Sequence, residues 1–359
     1  MRLFRLCTNS QLYLDRFHDQ QPELEGRPYI EQYRKLMKDC YGWADFWTHG
    51  FSPLGYEVWE PVGNAVVQQK QWALEHDVEY SEKWLFEISL SQIKDFAPDV
   101  LLVNDHHTFG KSFLDRVRES CPSIKLIIGW CGAPYTSLDV FKAYDLTLSN
   151  VSSLLDVFHA KGLNSRLFRH GFSATVNDRL ATVSDRGPDV SFVGSAISAD
   201  QYHTSRLELL EHLSHNSALE IWSPNGKVLQ GGGIASSIIH GAVFGLDMYR
   251  TLAKSFVTLN THIDISLTYA SNMRLFEATG VGACLLTDWT PNLSELFEED
   301  VEVVTFRTAE EAVEKMDYLM AHPSERDSIA EAGQKRTLAE HSFTQRAKEM
   351  DELIRNELA

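Results

Sequence analysis

Ser271-Asn272-Met273-Arg274-Leu275-Phe276-Glu277-Ala278-Thr279-Gly280-Val281-Gly282-Ala283-Cys284-Leu285-Leu286-Thr287-Asp288 is the most informative stretch of this 359-residue chain. It reads as a loop, a helix over Asn272 to Thr279, a glycine-marked turn and a buried strand over Ala283 to Thr287. Ser271 or Asn272 is expected to cap the helix, whose N–H groups and dipole favour an anion such as a diphosphate. Glu277 follows about one and a half turns on. A carboxylate only accepts hydrogen bonds and can accept two, which suits a pair of vicinal ribose hydroxyls. Arg274 adds a planar cation suited to phosphate.

Outward from this stretch the second half alternates in the same way. Val190 to Gly194, Leu219 to Trp222, Phe256 to Asn260 and Val301 to Phe306 read as strands. Arg206 to Ser214, Ala309 to Met320, Glu325 to Ala339 and a last segment from Thr344 read as helices. Ser223-Pro224-Asn225-Gly226 is a turn placed to border a nucleobase, and Gly231-Gly232-Gly233 reads as a loop. Gly194 ends its strand where a glycine lets backbone approach a phosphate. Arg206 and Lys254 are the further cations available to a diphosphate.

The first half repeats the pattern. Strands are expected at Arg2 to Cys7, Glu57 to Val62, Asp99 to Val103, Ile124 to Gly129, Asp145 to Leu148 and Arg166 to Arg169. Helices are expected at Ser81 to Phe96, Lys111 to Ser120 and Ser152 to Lys161. Strands separated by helices argue for βαβ units and parallel sheets. The polar, aperiodic stretch 174–189 reads as a linker. The division is therefore 1–173, linker 174–189, 190–343 and a terminal helix 344–359, in line with about two domains for this length.

Composition narrows the function classes. The net charge of −17 argues against a generic nucleic-acid binder, which carries a basic stripe. No apolar run reaches the ~18 residues of a membrane span, although peripheral association with a membrane is compatible with the sequence. No apolar segment follows the arginines near the N-terminus, so no signal peptide is read. Cys7, Cys40, Cys121, Cys131 and Cys284 are odd in number and widely spaced, which fits a reducing cytoplasm better than a disulfide framework or zinc site. Neither a Walker-type loop nor G-x-G-x-x-G occurs, which disfavours P-loop kinases and dinucleotide dehydrogenases.

Several ordered segments carry a family resemblance. Beside the opening stretch stand Phe192-Val193-Gly194-Ser195 with Arg206, and Gly245-Leu246-Asp247-Met248-Tyr249 with Leu259-Asn260. Leu293-Ser294-Glu295-Leu296-Phe297, Ala321-His322-Pro323, Ala332-Gly333 and His341-Ser342-Phe343-Thr344-Gln345-Arg346 follow. Together they resemble the C-terminal domain of the group-1 glycosyltransferases, in particular the branch typified by the spore-maturation protein CgeB. The first half resembles the family only in layout. The resemblance implies the α/β fold called GT-B: two Rossmann-like domains facing across a cleft, with the last helix crossing back to the first domain. It implies an enzyme that moves a sugar from a UDP-, GDP- or dTDP-type nucleotide diphosphate sugar to a hydroxyl acceptor such as a glycan. With basic side chains and a helix dipole to neutralise the diphosphate and no Asp-x-Asp motif, no cofactor or metal is expected to be required, and the cysteines place the enzyme in the cytoplasm.

The site expected from residues and resemblance has two parts. Ser271, Asn272, Arg274, Glu277, Gly194, Arg206 and Lys254 would hold the donor nucleotide and diphosphate, with His170 and Gly171 on the sugar or hinge side. Asp105, His106 and His107 directly follow a strand, where residues face the ligand in this architecture, and are the acid–base candidates. Asp105 has the alternative of capping a helix. Trp43, Phe46, Trp47, Phe51, Tyr56 and Trp59 either line an acceptor groove or form core. Retaining members of the family carry two glutamates with seven residues between them. Glu277 matches the second and Tyr269 stands at the first, so the stereochemical outcome stays open. The alternatives are a nucleotide-sugar 2-epimerase on the same fold and a non-catalytic nucleotide-sugar-binding protein. Base, sugar, acceptor and oligomeric state are not read from the sequence.

Overall fold

The computed structural model describes residues 1–132, 135–180, 187–197, 203–264 and 269–359. The chain divides into two compact units, Met1–Arg169 with Phe343–Ala359, and His170–Ser342.

The first unit is built on strands β1 (Arg2–Leu6), β2 (Glu57–Trp59), β3 (Val100–Val103), β4 (Leu126–Trp130), β5 (Leu146–Ser149) and β6 (Ser165–Leu167). They form one parallel sheet in the order β2-β1-β3-β4-β5-β6. Its helices are α1 (Gln11–Gln20), α2 (Tyr29–Lys38), α3 (Phe46–Phe51), α4 (Val66–Glu75), α5 (Trp84–Phe96), α6 (Lys111–Ser120) and α7 (Ser152–Ala160). The strand sequences explain the layering. Val-Leu-Leu-Val in β3 and Leu-Ile-Ile-Gly-Trp in β4 are buried at every position. Unbroken apolar runs of this kind belong to strands covered on both faces.

The second unit repeats the plan. Its strands are β7 (Val190–Val193), β8 (Leu219–Trp222), β9 (Ile239–His240), β10 (Val257–Asn260), β11 (Cys284–Asp288) and β12 (Val304–Phe306). They are parallel in the order β12-β11-β10-β7-β8-β9. The helices are α8 (Thr175–Arg179), α9 (Thr204–Asn216), α10 (Gly226–Gly231), α11 (Gly245–Lys254), α12 (Arg274–Gly280), α13 (Ala309–Ala321) and α14 (Pro323–Glu340). Of the stretch expected to be a linker, residues 181–186 lie outside the described residues; α8 occupies an earlier part of it, and Asn177 donates to the Gly280 carbonyl at 3.0 Å. Gly231 closes α10, whereas the sequence suggested a loop there.

Each sheet has one point where consecutive connections leave in opposite directions: between β1 and β3 in the first, and between β7 and β10 in the second. Crevices at such switch points, beyond the carboxyl ends of the strands, are where ligands bind in open α/β sheets.

The last helix, α15 (Phe343–Leu358), belongs to the first unit. Phe343 enters a nest of rings, with centroids 5.0 Å from Trp47, 5.2 Å from Phe46 and 6.0 Å from Trp43. The Tyr56 hydroxyl donates to Asp351 at 2.5 Å. Trp43, Phe46, Trp47, Phe51 and Tyr56 are all buried, so the acceptor-groove reading of these aromatics gives way to core; Trp59 is half-buried. All five cysteines are free and buried.

Gly333 in α14 shows why glycine stands inside a helix. A Cβ there would lie 2.3 Å from the Glu302 carbonyl oxygen. Alanine improves helix propensity by about 1 kcal/mol, but overpacking against rigid backbone costs about 1–3 kcal/mol, here at the upper end. The Gly333→Ala variant is therefore expected to lose about 2 kcal/mol net. At 2–4 °C per kcal/mol for a unit of this size, its melting temperature should fall by roughly 4–8 °C in a thermal denaturation scan.

Candidate functional site

In the second unit, β7 runs out into Gly194-Ser195 and β10 into Thr261-His262, on either side of the switch point. Arg206, from the first turn of α9, ties the two exits together. It is buried, donates Nη1 to the Ser195 carbonyl at 2.9 Å and Nη2 to the Thr261 carbonyl at 2.5 Å. Its guanidinium lies 5.7 Å from the Phe192 ring centroid. Both acceptors are backbone carbonyls, which orient the guanidinium at the strand ends. A planar cation held in this way suits a phosphate group.

A chain of side-chain hydrogen bonds runs across the neighbouring strand ends. Asn272 Nδ2 donates to Asn260 Oδ1 at 2.8 Å, and Asn260 Nδ2 donates to Thr287 Oγ1 at 2.9 Å. Thr287 Oγ1 reaches Asp288 Oδ1 at 3.2 Å. His262 then grips Asp288 twice: its backbone N–H donates to Oδ2 at 2.9 Å and its Nδ1 lies 2.7 Å from Oδ1. Because a carboxylate only accepts, Nδ1 carries the proton. Burial alone would raise the Asp288 pKa, but the charge and hydrogen bonds of His262 outweigh it and hold the carboxyl below the usual range.

The same segment holds buried polar atoms without partners: His262 Nε2, Asp264 Oδ1, Asn272 Oδ1 and Arg274 Nε. His262 is completely enclosed. Buried polar groups are ordinarily satisfied, so a concentration of unmet ones over residues 262–274 needs an explanation. A polar ligand that completes them is one, and the switch point beside them is where such a ligand belongs.

Glu277 departs from an exposed helix residue. It is 6% exposed, and Arg274 one turn back pairs with its Oε2 at 2.8 Å. The Tyr249 hydroxyl stands 3.4 Å from Oε1, a long contact that leaves that oxygen able to accept more. Arg274 also places Nη1 3.2 Å from Met248 Sδ. Its guanidinium thus holds Glu277 in place rather than standing as a separate cation.

Other expected donor residues are placed differently. Neither Ser271 nor Asn272 caps α12: Met273 is its N-cap, with no side-chain capping bond, and the Asn272 amide turns to Asn260. Ser271 is buried beside it in sequence. The Gly194 N–H donates to the Trp222 carbonyl at 3.1 Å, which commits it to the β7–β8 ladder rather than to a phosphate. Lys254 ends α11 and precedes the amino end of β10. It lies at the opposite end of the strand from Asn260, about 10 Å or more away at ~3.3 Å per residue, and does not join the site. His170 and Gly171 are buried at the start of the second unit, where Phe172 N–H donates to the His341 carbonyl at 2.8 Å.

In the first unit, Thr8 and Asp105 meet across the switch point between β1 and β3, the hydroxyl donating to Oδ2 at 2.5 Å. The other Asp105 oxygen accepts the N–H groups of His107 and Thr108, each at 3.0 Å. Burial raises the Asp105 pKa, but these donors outweigh it and the net shift is downward. A carboxylate so fully engaged is a turn-fixing residue and a poor base. His106 is the better one. Its ring is buried, and Nδ1 lies 3.2 Å from the Trp130 carbonyl. A carbonyl only accepts, so Nδ1 bears the hydrogen and Nε2, which has no partner, presents its lone pair. Burial, then the neighbouring His107, push the His106 pKa down, which keeps the ring neutral near pH 7. His107 is exposed, its ring centroid 4.1 Å from that of His106.

Sequence reasoning passed over Asn260, His262, Asp288 and Thr8. The signal was present. The strand-end rule that singled out Asp105 applies equally to His262, two residues past β10, and to Asp288, the last residue of β11.

Among the described residues no group of three or more His, Cys, Asp or Glu side chains could hold a metal ion, and no helix is long and apolar enough to cross a membrane.

Residues 202–352 match the model of a family described as glycosyl transferase-like. No curated protein matches the chain. The solved structures similar to it include Anabaena Alr3699/HepE in complex with UDP and glucose, with a TM-score of 0.60, 11% identity, and coverage of 99% of this chain and 100% of that one. A glycosyltransferase from Rickettsia africae aligns with a TM-score of 0.57 and 11% identity, covering 99% and 98% of the two chains. Sucrose-phosphate synthase from Thermosynechococcus elongatus aligns with a TM-score of 0.56 and 8% identity, again over 99% and 98%. At these identities the likeness establishes the fold, which is GT-B.

Proposed function

We propose that this protein transfers a glycosyl group from a nucleoside diphosphate sugar to a hydroxyl acceptor, in the manner of the CgeB-like branch of the group-1 glycosyltransferases. The observation that carries the reading is the set of unmet buried polar groups beside the β7–β10 switch point, together with Arg206 held on two carbonyls. The glycosyl transferase-like match over residues 202–352 covers Arg206, β10 and the segment to Arg274, and the HepE structures hold UDP with glucose or UDP-glucose on the same fold.

In this reading Arg206 and His262 meet the charge that develops on the departing diphosphate, where electrostatic stabilisation matters more than a protein nucleophile. Glu277, braced by Arg274, accepts the ribose hydroxyls. Asn272 and Ser271 border the diphosphate. The His106 Nε2 lone pair takes the proton of the acceptor hydroxyl as its oxygen bonds to the anomeric carbon and the diphosphate leaves. Five buried free thiols suit a reducing, cytoplasmic compartment.

Incubation of the purified protein with UDP-, GDP- and dTDP-sugars tests this, with free nucleoside diphosphate as the readout in the presence of a mixed panel of sugar acceptors. Release is expected from one nucleotide class, rising with acceptor, and falling about 10²-fold in Arg206→Ala. Conversion of the donor to an epimer without release would contradict transfer and favour an epimerase. Binding without turnover would leave a nucleotide-sugar-binding protein.

A further inference from the structure

We propose that the first unit carries a second binding site, separate from its strand-end residues, that takes a single neutral sugar ring. The site is a cavity of about 240 Å³ lined by Tyr29, Trp59, Trp72, Glu75, Gln92 and Asp95, among others. That is room for roughly eight waters at ~30 Å³ each, or one ring with its hydroxyls. It lies away from Thr8 and His106. Phe96, on its wall, ends the helix that feeds the amino end of β3, and Glu75 ends α4. Thr8 and His106 stand beyond the carboxyl ends of β1 and β3.

The floor holds buried polar groups whose hydrogen bonding is incomplete. Gln92 is 2% exposed, yet neither its Nε2 nor its Oε1 has a partner. The buried Tyr29 hydroxyl is likewise unpartnered. The Gln92 amide faces that hydroxyl and favours its ionised form, against the burial that pushes its pKa up. The walls are rings held in fixed positions: Tyr33 stacks on Trp59 at 4.7 Å, and His76 stacks on Trp72 at 4.1 Å. Glu75 is fixed by the Tyr29 N–H at 2.7 Å and by Gln71 Nε2 at 2.8 Å.

This combination selects a ligand class. An anion is opposed by Glu75 and Asp95. An ammonium group cannot accept and would leave the Gln92 N–H groups unmet. An apolar ligand would leave the whole amide unmet. A polyhydroxylated ring both donates and accepts: its hydroxyls satisfy both ends of the Gln92 amide and the carboxylates, while its C–H face lies on an indole. The inference does not depend on the donor site in the second unit.

Saturation-transfer NMR with glucose, galactose and mannose, their methyl glycosides, glucosamine and glucuronate tests it on the full-length protein. Transfer to at least one neutral sugar is expected, weakened at least about tenfold in Gln92→Leu and reduced in Asp95→Ala, which sits on the exposed rim and leaves the core intact. The same signal should persist in His106→Asn and Arg206→Ala, which touch only the strand-end residues. Equal binding of a methyl glycoside would identify the residue of a glycan as occupant, and binding of the free sugar alone a small metabolite; both support the site. No transfer from any neutral sugar, transfer unchanged in a folded Gln92→Leu variant, or preferential binding of glucosamine or glucuronate would overturn it.

Discussion

Glu60→Ala is expected to destabilise the first unit by about 3–5 kcal/mol, because it strands a buried arginine. Arg5, in the middle of β1, is paired with Glu60 at 2.6 Å, and both side chains are almost wholly enclosed, at 5% and 0% exposure. Glu60 also accepts from the Thr48 N–H at 2.7 Å and from its hydroxyl at 2.8 Å, while Arg5 donates to the Ala44 carbonyl. The pair therefore pins the aromatic segment around α3, on which α15 packs, to the sheet. A loss of this size is a large part of the 5–15 kcal/mol typical of a domain. At 2–4 °C per kcal/mol, calorimetry should show the melting temperature falling by roughly 10 °C. The double replacement Arg5→Met with Glu60→Leu should recover part of the loss, since apolar substitutes for a buried pair are often neutral or better. A single variant as stable as wild type would mean that the pair is not what holds α3.

His106→Asn is expected to lower the turnover number by about 10²–10⁴-fold with little change in the donor's KM, the range for removing a general base. Asparagine keeps a donor for the Trp130 carbonyl, so the loss reports the missing lone pair. The pH profile carries a second signature. Burial depresses the His106 pKa below its ordinary value of about 6.5, so the basic form persists on acidification. Wild-type activity should hold through neutrality and fall only beneath pH ~6.5, and the variant should lack that limb. Stability has the same sign: the unfolded histidine binds its proton at higher pH than the folded one, so the folded state loses ground as pH drops below the unfolded value. An unchanged turnover number would remove His106 from the chemistry.

The parallel sheets were legible because their central strands are short apolar runs flanked by turn residues; Leu219–Trp222 and Lys111–Ser120 fall where the pattern places them. The four helices before β3 other than α5 were not read. Their segment is dense in tryptophan, phenylalanine and tyrosine, whose burial around Phe343 depends on a partner from the far end of the chain. Strand β9, two residues long, is too short for any periodicity to declare it. At the site, composition and spacing pointed to Glu277, Arg206 and His106, but they could not say which groups were already satisfied. Asp105 and Arg274 look free in sequence and are committed in space, to a turn and to Glu277. Lys254 looks available and lies at the wrong end of its strand. His262 looks like an isolated histidine until β11 brings Asp288 beside it. Sequence gives the type of a group; its partners are set by which strands are neighbours.

The central claim is a nucleotide site at the β7–β10 switch point, and thermal unfolding with UDP, GDP, dTDP and their sugars tests it most directly, with Glu277→Gln measured alongside. Glutamine keeps the shape of the residue without the carboxylate's two acceptors, and so is kinder to the fold than alanine, which would strand Arg274 outright. A ligand present at ~100 times its dissociation constant stabilises the native state by about 2.7 kcal/mol. The predicted result is a rise in melting temperature with one diphosphonucleoside class, needing at least about tenfold more ligand in Glu277→Gln. No rise with any nucleotide, or an equal rise in the variant, would contradict the assignment of the donor site.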